Sequence, residues 1–424
     1  MATNKVVQRT YIQITGTLGS PLLAGSGLDE QTKMDVTRNH LGKPFMTGSA
    51  LAGALRQQML RFYSDNKEQI ESLFGVDIFQ SRLYVSDIEL DTEDIGIRDG
   101  VKLEDENKVA AKTGKFDMEI VERDTPYMIR LEYITREASE NSYVADEQII
   151  KQIIAALANG HITIGGKSNR GFGKLNVSSV KRKQFHYSEK EAITEWLNWS
   201  WEAIGGEPEW TDYQSVKKCA ICYFELPLQV AQTLLIRNYR TEADVDYGYL
   251  KNNNNPVIPG ATWAGAFRHR LMQIFKTEFP DFATDRIIEE LFGTKHSKNR
   301  QGKASRLIFE ESVVKNASDV KITRNAIDRF SGATIQGALF TGEQVVKGET
   351  SLVIRWHKVD DEMKLCDKAI LGMLQWVSND LASGLLAVGG ETAVGRGVFE
   401  AEQQTNKKAC QAAVDAIIKR GTVK

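Results

Sequence analysis

The sequence predicts an α+β fold made of two tandem copies of one module. The first observation is an internal repeat, because four segments recur in the same order at offsets between 212 and 224 residues. The second is that both halves show one order of strand-like and helix-like patterns. The third is composition, since 424 residues with 42% hydrophobic and 26% charged side chains are typical of two or three globular domains.

The repeat divides the chain into domains. The recurring pairs are residues 42–56 with 255–268, 71–75 with 289–293, 81–83 with 305–307, and 165–173 with 389–397. Each offset is close to half the chain length, so duplication of one module explains them better than chance similarity. We therefore predict a first module at 1–180, a linker at 181–217, a second module at 218–402 and a C-terminal helical tail at 403–424.

The two modules have the same predicted elements. An alternating pattern predicts a first strand at 11–15 and at 221–226. A helix follows Gly48 and Gly260, with Ser49 and Thr262 near its capping positions. The later elements are strand regions at 83–90 and 307–314, strands at 127–133 and 351–356, helices at 146–158 and 367–380, and a last strand after a Gly-rich loop. This β-α-β-β-α-β order is the ferredoxin-like, or RRM-like, arrangement, in which two helices cover one sheet face.

The linker contains a predicted helix at 188–203 that ends at the Gly-Gly-Glu-Pro breaker at 205–208. Trp196, Trp199 and Trp201 lie in this segment, and two of them are three residues apart, which favours docking of the helix on a module. A stacking surface for nucleic-acid bases is the alternative.

The closing loops carry the clearest chemical signal. They read Gly165-Gly166-x3-Arg170-Gly171-x-Gly173 and Gly389-Gly390-x4-Gly395-Arg396-Gly397. Glycines let backbone N–H groups approach an anion, and Lys167, Lys174 and the two arginines add positive charge. The loops match neither the dinucleotide fingerprint nor a Walker loop, so they predict a different phosphate site.

Composition excludes several classes. No run of about 18 apolar residues predicts a membrane span, and the N-terminus lacks the apolar core of a secretory signal, so we expect a cytoplasmic protein. A net charge of −2 excludes a generic polycation, so any RNA binding needs a local basic surface. Cys219-x2-Cys222 lacks a second pair, which disfavours zinc.

A family resemblance follows from the motifs. Pro44-x3-Gly48-Ser49-x3-Gly53-x2-Arg56, the Leu-Phe-Gly segments and the closing loops together resemble the RAMP superfamily of CRISPR systems. In the second module the segment 258–268 is the better match, and 324–333 with 337–340 is similar to the family's central segment. The resemblance covers nearly the whole chain, twice. It is closest to the backbone subunits of type III effector complexes, here as a III-D-like tandem fusion.

The resemblance implies a role and a set of partners. Such subunits stack along a guide RNA and grip its backbone, while a thumb-like insertion kinks the duplex of guide RNA and target RNA. Other RAMP subunits and the large signature subunit complete the complex. The implied RNA contacts are Ser49, Arg56, Lys167, Arg170 and Lys174 in the first module, and Thr262, Arg268, Arg324, Gly395 and Arg396 in the second. An ion pair with a helix carboxylate is the alternative for Arg56 and Arg268.

The resemblance also implies target cleavage. Family members use an Asp in the loop before the first helix, with a divalent metal such as Mg²⁺ or Mn²⁺. Counting backwards from Pro256 places Asp246 at the catalytic and metal-binding position. Matching the first module to the same family pattern reaches Lys33, so Asp35 is a shifted candidate and Asp29 a weaker one. We expect an active second module; the alternative is that each of these aspartates is simply solvated.

Three other functions remain open from the sequence. A structural RNA-binding subunit would keep the architecture without the chemistry. A metal-independent endoribonuclease that matures CRISPR transcripts would need a histidine as general acid or base, but no histidine occupies matching positions in the two halves. An allosteric protein that binds small molecules would leave the basic Gly-rich loops unexplained.

Overall fold

A computed structural model describes residues 5–25, 34–76, 80–92, 95–104, 110–137, 142–216, 220–238, 245–294, 301–358 and 364–420. The chain forms two compact units. The first consists of Met1–Arg98, Phe116–Ser168 and Phe172–Ala220, and the second of Asp99–Lys115, Asn169–Gly171 and Ile221–Lys424.

The first half of the chain contains the following elements. Its strands are β1 (Val6–Leu18), β2 (Phe45–Met46), β3 (Leu83–Val85), β4 (Ile88–Glu89), β5 (Ile95–Leu103), β6 (Ala110–Val121), β7 (Pro126–Arg136) and β8 (Leu175–His186). Its helices are α1 (Gly48–Phe62), α2 (Lys67–Phe74), α3 (Tyr143–Ala158) and α4 (Lys190–Leu197). Its main sheet has the antiparallel order β3-β7-β1-β8, which is the ferredoxin-like order.

The core of the first module lies on one face of this sheet. Ile12 and Ile14 of β1 point to the same face because side chains alternate along a strand, and both are buried. Leu51, Leu55 and Met59 of α1 lie four residues apart and are buried in the same cluster. The predicted apolar stripe of the first helix is therefore confirmed.

The second half repeats the arrangement. Its strands are β9 (Ile221–Val230), β10 (Thr233–Leu234), β11 (Arg237–Asn238), β12 (Gly248–Tyr249), β13 (Lys251–Asn252), β14 (Asn255–Ile258), β15 (Leu307–Phe309), β16 (Ser312–Val313), β17 (Ser318–Ile327), β18 (Thr334–Val346), β19 (Glu349–His357) and β20 (Phe399–Glu400). Its helices are α5 (Gly260–Glu278), α6 (Asp285–Phe292), α7 (Asp367–Ala382) and α8 (Lys407–Arg420). The sheet order β15-β19-β9-β20 matches that of the first half, so the predicted duplicated α+β fold is confirmed.

The C-terminal tail forms the predicted helix and packs on the second module. Ala409, Ala413 and Ile417 of α8 are buried, at the four-residue spacing that places them on one face. A side chain at Gly372 of α7 would approach Ala413 Cβ to 3.0 Å. The small residues on α7 and α8 therefore allow close packing of the two helices.

The tryptophans of the linker pack on the other face of the first sheet. Trp196 Nε1 donates a hydrogen bond to the hydroxyl of Tyr11 at 2.8 Å, and the Trp199 ring centroid lies 4.4 Å from that of Tyr11. Phe185 and Trp201 complete the cluster. The predicted docking is confirmed, and these rings pack on the sheet of their own module rather than forming an open stacking surface.

Some predicted boundaries were wrong. The basic run 181–183 lies in β8, where it pairs with β1, so the first module continues past its predicted end at residue 180. The linker helix is α4, which is shorter than predicted, and a 3₁₀ segment covers Trp201–Gly206. The N-cap of α1 is Thr47, whose hydroxyl accepts from the Ala50 N–H at 3.3 Å.

Several elements were not predicted. The helices α2 and α6 are each eight residues long, too short for a clear helical period in the sequence. The strands β5 and β6 form a hairpin within the segment that the sequence shows only as polar.

Within the described residues, no helix combines the length and the apolar character needed to span a membrane.

A polar network connects α3 to the sheet of the first module and α7 to the sheet of the second. In the first module Arg82 donates to both carboxylate oxygens of Asp146, at 2.7 and 2.8 Å, and the Tyr133 hydroxyl donates to the same group at 2.9 Å. In the second module Asp367 accepts from Trp356 Nε1 at 2.9 Å and from Arg306 at 3.4 Å. The repeat therefore preserves an acid–arginine–aromatic contact as well as the backbone.

Candidate nucleic-acid interface

The Pro-x3-Gly motif has a steric cause in both modules. Gly48 begins α1, and a Cβ at this position would collide with the carbonyl oxygen of Val85 in β3. Gly260 begins α5, and its Cβ would collide with the carbonyl oxygen of Phe309 in β15. Only glycine permits this approach of helix and strand, so the motif fixes where the N-terminus of each first helix lies.

The predicted contacts on α1 lie on its exposed side. Ser49 is exposed, and its hydroxyl donates to the Thr47 hydroxyl at 3.1 Å. Arg56 Nη2 lies 3.8 Å from Glu71 Oε1 of α2, which is the ion-pair alternative noted from the sequence. More than a third of the Arg56 side chain remains exposed, so this pair is a weak one.

The first Gly-rich loop has a strained backbone. Lys167 has a φ of 55°, in the left-handed region, and its ammonium group lies 4.3 Å from the ring centroid of Phe116. Gly173 has a φ of 74°, and a side chain there would collide with the carbonyl oxygen of Ile164. The Lys174 N–H donates to Ser20 Oγ at 3.0 Å, so this end of the loop is fixed to the chain after β1.

Residues 169–171 of that loop belong to the second compact unit. A side chain at Gly260 would collide with the carbonyl oxygen of Arg170, so this backbone packs against the start of α5. Burial, followed by the charge on Arg268, lowers the pKa of the Arg170 guanidinium. Arg170 forms no ion pair within the part of the chain that the structure describes. The backbone of Arg170 therefore lies at the start of α5, and the charge of Arg268, about two turns further along that helix, acts on the Arg170 guanidinium.

The N-terminus of α5 adds to this environment. The unpaired N–H groups of a first helical turn carry partial positive charge, and α5 has 19 residues and no acidic residue in its first turn. Thr262 lies in that turn and is half-buried. The N-cap of α5 is Pro259 and not Thr262, and it makes no side-chain cap. The positive potential of the α5 N-terminus therefore lies beside the backbone of Arg170.

The second Gly-rich loop carries an acid where the first carries Lys167. Glu391 has a φ of 56° and accepts hydrogen bonds from Arg237 Nη2 at 2.9 Å, Arg324 Nη2 at 2.7 Å and the Tyr247 hydroxyl at 2.9 Å. Arg396 Nε lies 2.7 Å from the same carboxylate. We call these five residues the Glu391 cluster. The cluster joins the loop, the hairpin β17–β18 and the segment before α5.

Burial and hydrogen bonding shift the pKa values of the charged groups in the cluster. Burial acts to raise the pKa of Glu391, but hydrogen bonds from Arg324, Tyr247 and Arg237 outweigh it and hold the pKa below its ordinary value. Arg396 is buried, and burial lowers the pKa of its guanidinium despite the neighbouring carboxylate. Arg237 and Arg324 differ from Arg396, since 39% of each side chain is exposed.

The predicted RNA contacts around this loop therefore differ in their accessibility to a ligand. Arg396 is directed to Glu391 inside the protein, whereas Arg324 reaches both Glu391 and solvent. Gly395 is exposed, with a φ of 85°, and a side chain there would meet no atom within 4 Å. Its backbone is thus accessible to a ligand.

Asp246 lies at the edge of the hairpin β17–β18. Its N–H donates to the Thr341 carbonyl oxygen at 2.9 Å, and its Oδ2 accepts from the Thr341 N–H at 2.8 Å. The residue is exposed. These two bonds hold the carboxylate beside β18, next to Tyr247 of the Glu391 cluster.

The metal-binding prediction can be compared with the groups present. Within the described residues, no group of three or more His, Cys, Asp or Glu side chains is placed to hold a metal. Asp246 therefore belongs to no such group among the described residues. Mg²⁺ is often bound by one or two carboxylates together with substrate phosphates and water, so a single exposed acid fits a site that RNA helps to form.

The corresponding region of the first module is different. Asp35 is exposed, and the neighbouring Val36 N–H donates to Glu119 Oε2 at 3.0 Å. Glu119 also pairs with Arg38 at 3.0 Å, so the nearby cation is already bound to an acid. Asp29 and Lys33 lie outside the described residues.

The hairpin β17–β18 corresponds to the central segment of the resemblance. Its tip is turned by Asp328, whose Oδ1 accepts from the N–H groups of Phe330 and Ser331 at 3.0 and 2.7 Å. Phe330 is fully exposed, at 100%, and apolar Ile327 and Leu339 on the strands are more than 60% exposed. Such exposed apolar side chains on a monomer mark a contact surface.

Sequence reasoning missed Glu391, Tyr247 and Arg237. Each is a single residue in a segment without a clear apolar period, and their contacts join segments up to 154 residues apart. One signal was present, because Glu391 aligns with Lys167 in the repeat and reverses its charge.

The family assignment agrees with this geometry. Residues 15–176 and 240–400 each match the RAMP superfamily, so the match covers more than half of the chain and occurs once in each module. No curated protein matches the sequence. Two matched regions with the same sheet order, each closed by a Gly-rich loop, show that this chain belongs to the RAMP superfamily of CRISPR-associated RNA-binding proteins.

Proposed function

We propose that the protein is a guide-RNA-binding backbone subunit of a type III, III-D-like, CRISPR effector complex, and that its second module cleaves the paired target RNA. Its partners are the guide, the target, other RAMP subunits and the large signature subunit. The observation that carries RNA binding is the position of Arg170 against the start of α5, with the charge of Arg268 of the same helix acting on it.

Like charges in this environment favour an anionic ligand. The lowered pKa of Arg170 reports burial and the repulsion from Arg268. A phosphodiester would relieve that repulsion and would also interact with the N-terminus of α5. These contacts reach the RNA backbone and not the bases, so sequence readout would come from pairing between guide and target.

The case for cleavage rests on Asp246. RNA supplies its own nucleophile: a 2′-oxygen forms a bond to the adjacent phosphorus and the bond to the 5′-oxygen breaks. The leaving 5′-oxygen takes a proton from water, so a cyclic phosphate and a 5′-hydroxyl result. Asp246 would accept the 2′-hydroxyl proton, and its exposure and its hydrogen bonds with Thr341 support this role. Asp246 would help to hold a divalent metal, which would supply positive charge to the reacting phosphate.

The hairpin tip supports a mechanical role. Phe330 is an exposed aromatic residue at the tip of the hairpin β17–β18. An apolar side chain of this kind can insert between two stacked bases and separate them. We propose that the hairpin separates one base step of the duplex. The RNA backbone beside Asp246 could then align the 2′-oxygen, the phosphorus and the leaving 5′-oxygen in a line.

A non-catalytic RNA-binding subunit is the second candidate, and a substitution separates the two. The experiment uses the assembled complex with a guide and a labelled complementary RNA, and compares Asp246→Asn with Asp35→Asn. Loss of one cleavage product in Asp246→Asn alone, with target binding retained, supports cleavage by the second module. Unchanged cleavage at every position in Asp246→Asn would contradict it and favour the structural role.

The transcript-processing alternative has its own test. Cleavage of CRISPR repeat RNA by the isolated protein in EDTA would support that function. We expect no such cleavage.

A further inference from the structure

The outer edge of β18 carries the segment that contains Asp246. The Asp246 N–H donates to the Thr341 carbonyl oxygen at 2.9 Å, and the Glu343 N–H donates to the Tyr247 carbonyl oxygen at 3.0 Å. Tyr247 also pairs with Gly342 in the parallel orientation. Asp246 and Tyr247 therefore form a short parallel pairing along β18, one strand position after another.

The backbone groups of Thr341 that bond to Asp246 point away from β17. In an antiparallel pair, opposite residues alternate between exchanging both hydrogen bonds and directing them outward. Thr341 lies opposite Thr323, and both its N–H and its carbonyl oxygen bond to Asp246. The two threonines are therefore a pair without ladder hydrogen bonds, which agrees with the 3.0 Å between their hydroxyl oxygens.

The side chain of Asp246 completes this pairing. Its Oδ2 accepts from the Thr341 N–H at 2.8 Å, so the residue is held at its carboxylate as well as at its backbone. A carboxylate has about four lone-pair sites, and Asp246 is exposed. The bond to Thr341 therefore fixes the direction of the carboxylate and leaves it able to accept a proton from a ligand.

Gly342 holds the same segment at the next position of the strand. A Cβ at Gly342 would lie 2.5 Å from the ring of Tyr247, which is 8% exposed. Successive residues of a strand face opposite sides, so the ring lies on the side away from the Thr341 hydroxyl. Tyr247 directly follows Asp246 in the chain, and the packing of its ring on Gly342 therefore limits movement of the Asp246 backbone.

We propose that the outer edge of β18 positions the Asp246 carboxylate for cleavage, with Thr341 and Gly342 as the positioning residues. This inference rests on the proposed function. It assigns the orientation of the proposed general base to the hairpin and not to the loop in which Asp246 lies. Because β18 also leads to the tip that bears Phe330, one strand connects the side chain that separates the bases with the support of the carboxylate.

The test compares two proline substitutions that face each other in the hairpin. Thr341→Pro removes the N–H that Asp246 accepts, and Thr323→Pro removes the N–H on the opposite edge of the hairpin from Asp246. Neither N–H belongs to the ladder between β17 and β18, and strands tolerate proline at such edge positions. In the assembled complex, the single-turnover cleavage rate is measured separately from the affinity for a target RNA with a 2′-deoxy nucleotide at the cleavage site.

The expected result separates rate from affinity. Thr341→Pro lowers the single-turnover rate at the Asp246 site by about tenfold or more and changes the target affinity by less than about twofold, because a small misplacement of a catalytic group slows the reaction without weakening binding. Thr323→Pro and Thr341→Val keep the Thr341 N–H and cleave like the wild type. A wild-type rate in Thr341→Pro, or a loss of affinity as large as the loss of rate, would overturn the inference.

Gly342→Ala gives a second measurement that does not place proline in the hairpin. Its Cβ displaces the Tyr247 ring, so we expect slower cleavage with retained affinity, whereas Gly206→Ala, whose Cβ meets no atom within 4 Å, cleaves like the wild type. An unchanged rate in a folded Gly342→Ala complex would overturn the inference.

The same assay keeps this inference distinct from the proposed function. Retained cleavage in Asp246→Asn would overturn the proposed function and this inference with it. Loss of cleavage in Asp246→Asn together with retained cleavage in Thr341→Pro would overturn this inference alone.

Discussion

The two Gly-rich loops share a backbone and differ in charge. Lys167 and Glu391 occupy equivalent positions, with φ values of 55° and 56°. Lys167 contacts an aromatic ring, whereas Glu391 binds three arginines and a tyrosine. The repeat therefore preserves the conformation of the loop while its electrostatic role changes, so equivalent positions in the two modules need not do the same work.

The open faces of the two sheets differ as well. Tyr11 of β1 is 7% exposed because the linker tryptophans cover it, whereas the corresponding Tyr223 of β9 is 52% exposed. The linker thus stabilises one module and leaves the corresponding position of the other accessible. Four predictions sharpen this comparison.

The largest effect is expected at the buried ion pair of the first module. Asp146→Ala should lower the free energy of unfolding by about 3–5 kcal/mol, because Arg82 keeps its charge without a partner. Asp367→Ala in the second module should cost about 1 kcal/mol, since Asp367 is 24% exposed, against 1% for Asp146, and Arg306 retains Glu290 at 2.9 Å. Urea unfolding followed by circular dichroism measures both.

A surface pair provides the control for this prediction. Asp91→Ala removes the exposed partner of Lys43 and should leave the urea midpoint unchanged. Equal losses for Asp146→Ala and Asp367→Ala would show that the two networks are equivalent.

The second effect concerns the glycines of α5. Gly260→Ala should destabilise the protein by about 1–3 kcal/mol, because its Cβ meets backbone atoms that cannot rotate away. Gly265→Ala, in the same helix with no atom within 4 Å of its Cβ, should stabilise it by about 0.5–1 kcal/mol. Thermal melting distinguishes the opposite signs, and a shift of the same sign in both variants would contradict the steric account.

The third effect separates covered from exposed aromatic rings. Trp199→Ala should cost about 2 kcal/mol and expose the linker to protease, because this ring packs against Tyr11 and Phe185. Phe330→Ala should leave stability within about 0.5 kcal/mol of the wild type, since the ring is fully exposed. Limited proteolysis and thermal melting provide the comparison. Loss of RNA binding in Trp199→Ala, with the linker still protected, would restore the stacking interpretation.

The smallest effect is a pH dependence at Glu391. Folding lowers its pKa below the ordinary value of 4.5, so its stabilising contribution is present above that value and is lost as pH falls through the folded pKa. The difference in unfolding free energy between wild type and Glu391→Gln should thus be constant from about pH 5 to 8 and shrink in more acidic solution. A difference that instead grows as the pH falls below 5 would contradict the assignment.

The sequence was sufficient to predict the repeated architecture. Apolar residues at a four-residue spacing predicted the helices α1 and α8. The element order shared by the two halves predicted the two sheets. It was insufficient for the Glu391 cluster, because Arg237 and Arg324 reach Glu391 from distant segments and local patterns carry no information about that convergence. The hairpin β17–β18 was predicted only through the family resemblance. Its strands are largely exposed, so no buried face imposes an alternating apolar pattern on their sequence.

The most direct test of the central claim is the RNA that the protein carries. The tagged protein is expressed with its neighbouring genes and a guide array, purified, and its bound RNA is sequenced. We predict a guide of uniform length, together with partner subunits, and loss of this RNA in Arg170→Glu. Recovery of the wild-type protein free of RNA, while its partners are demonstrably expressed, would contradict the account.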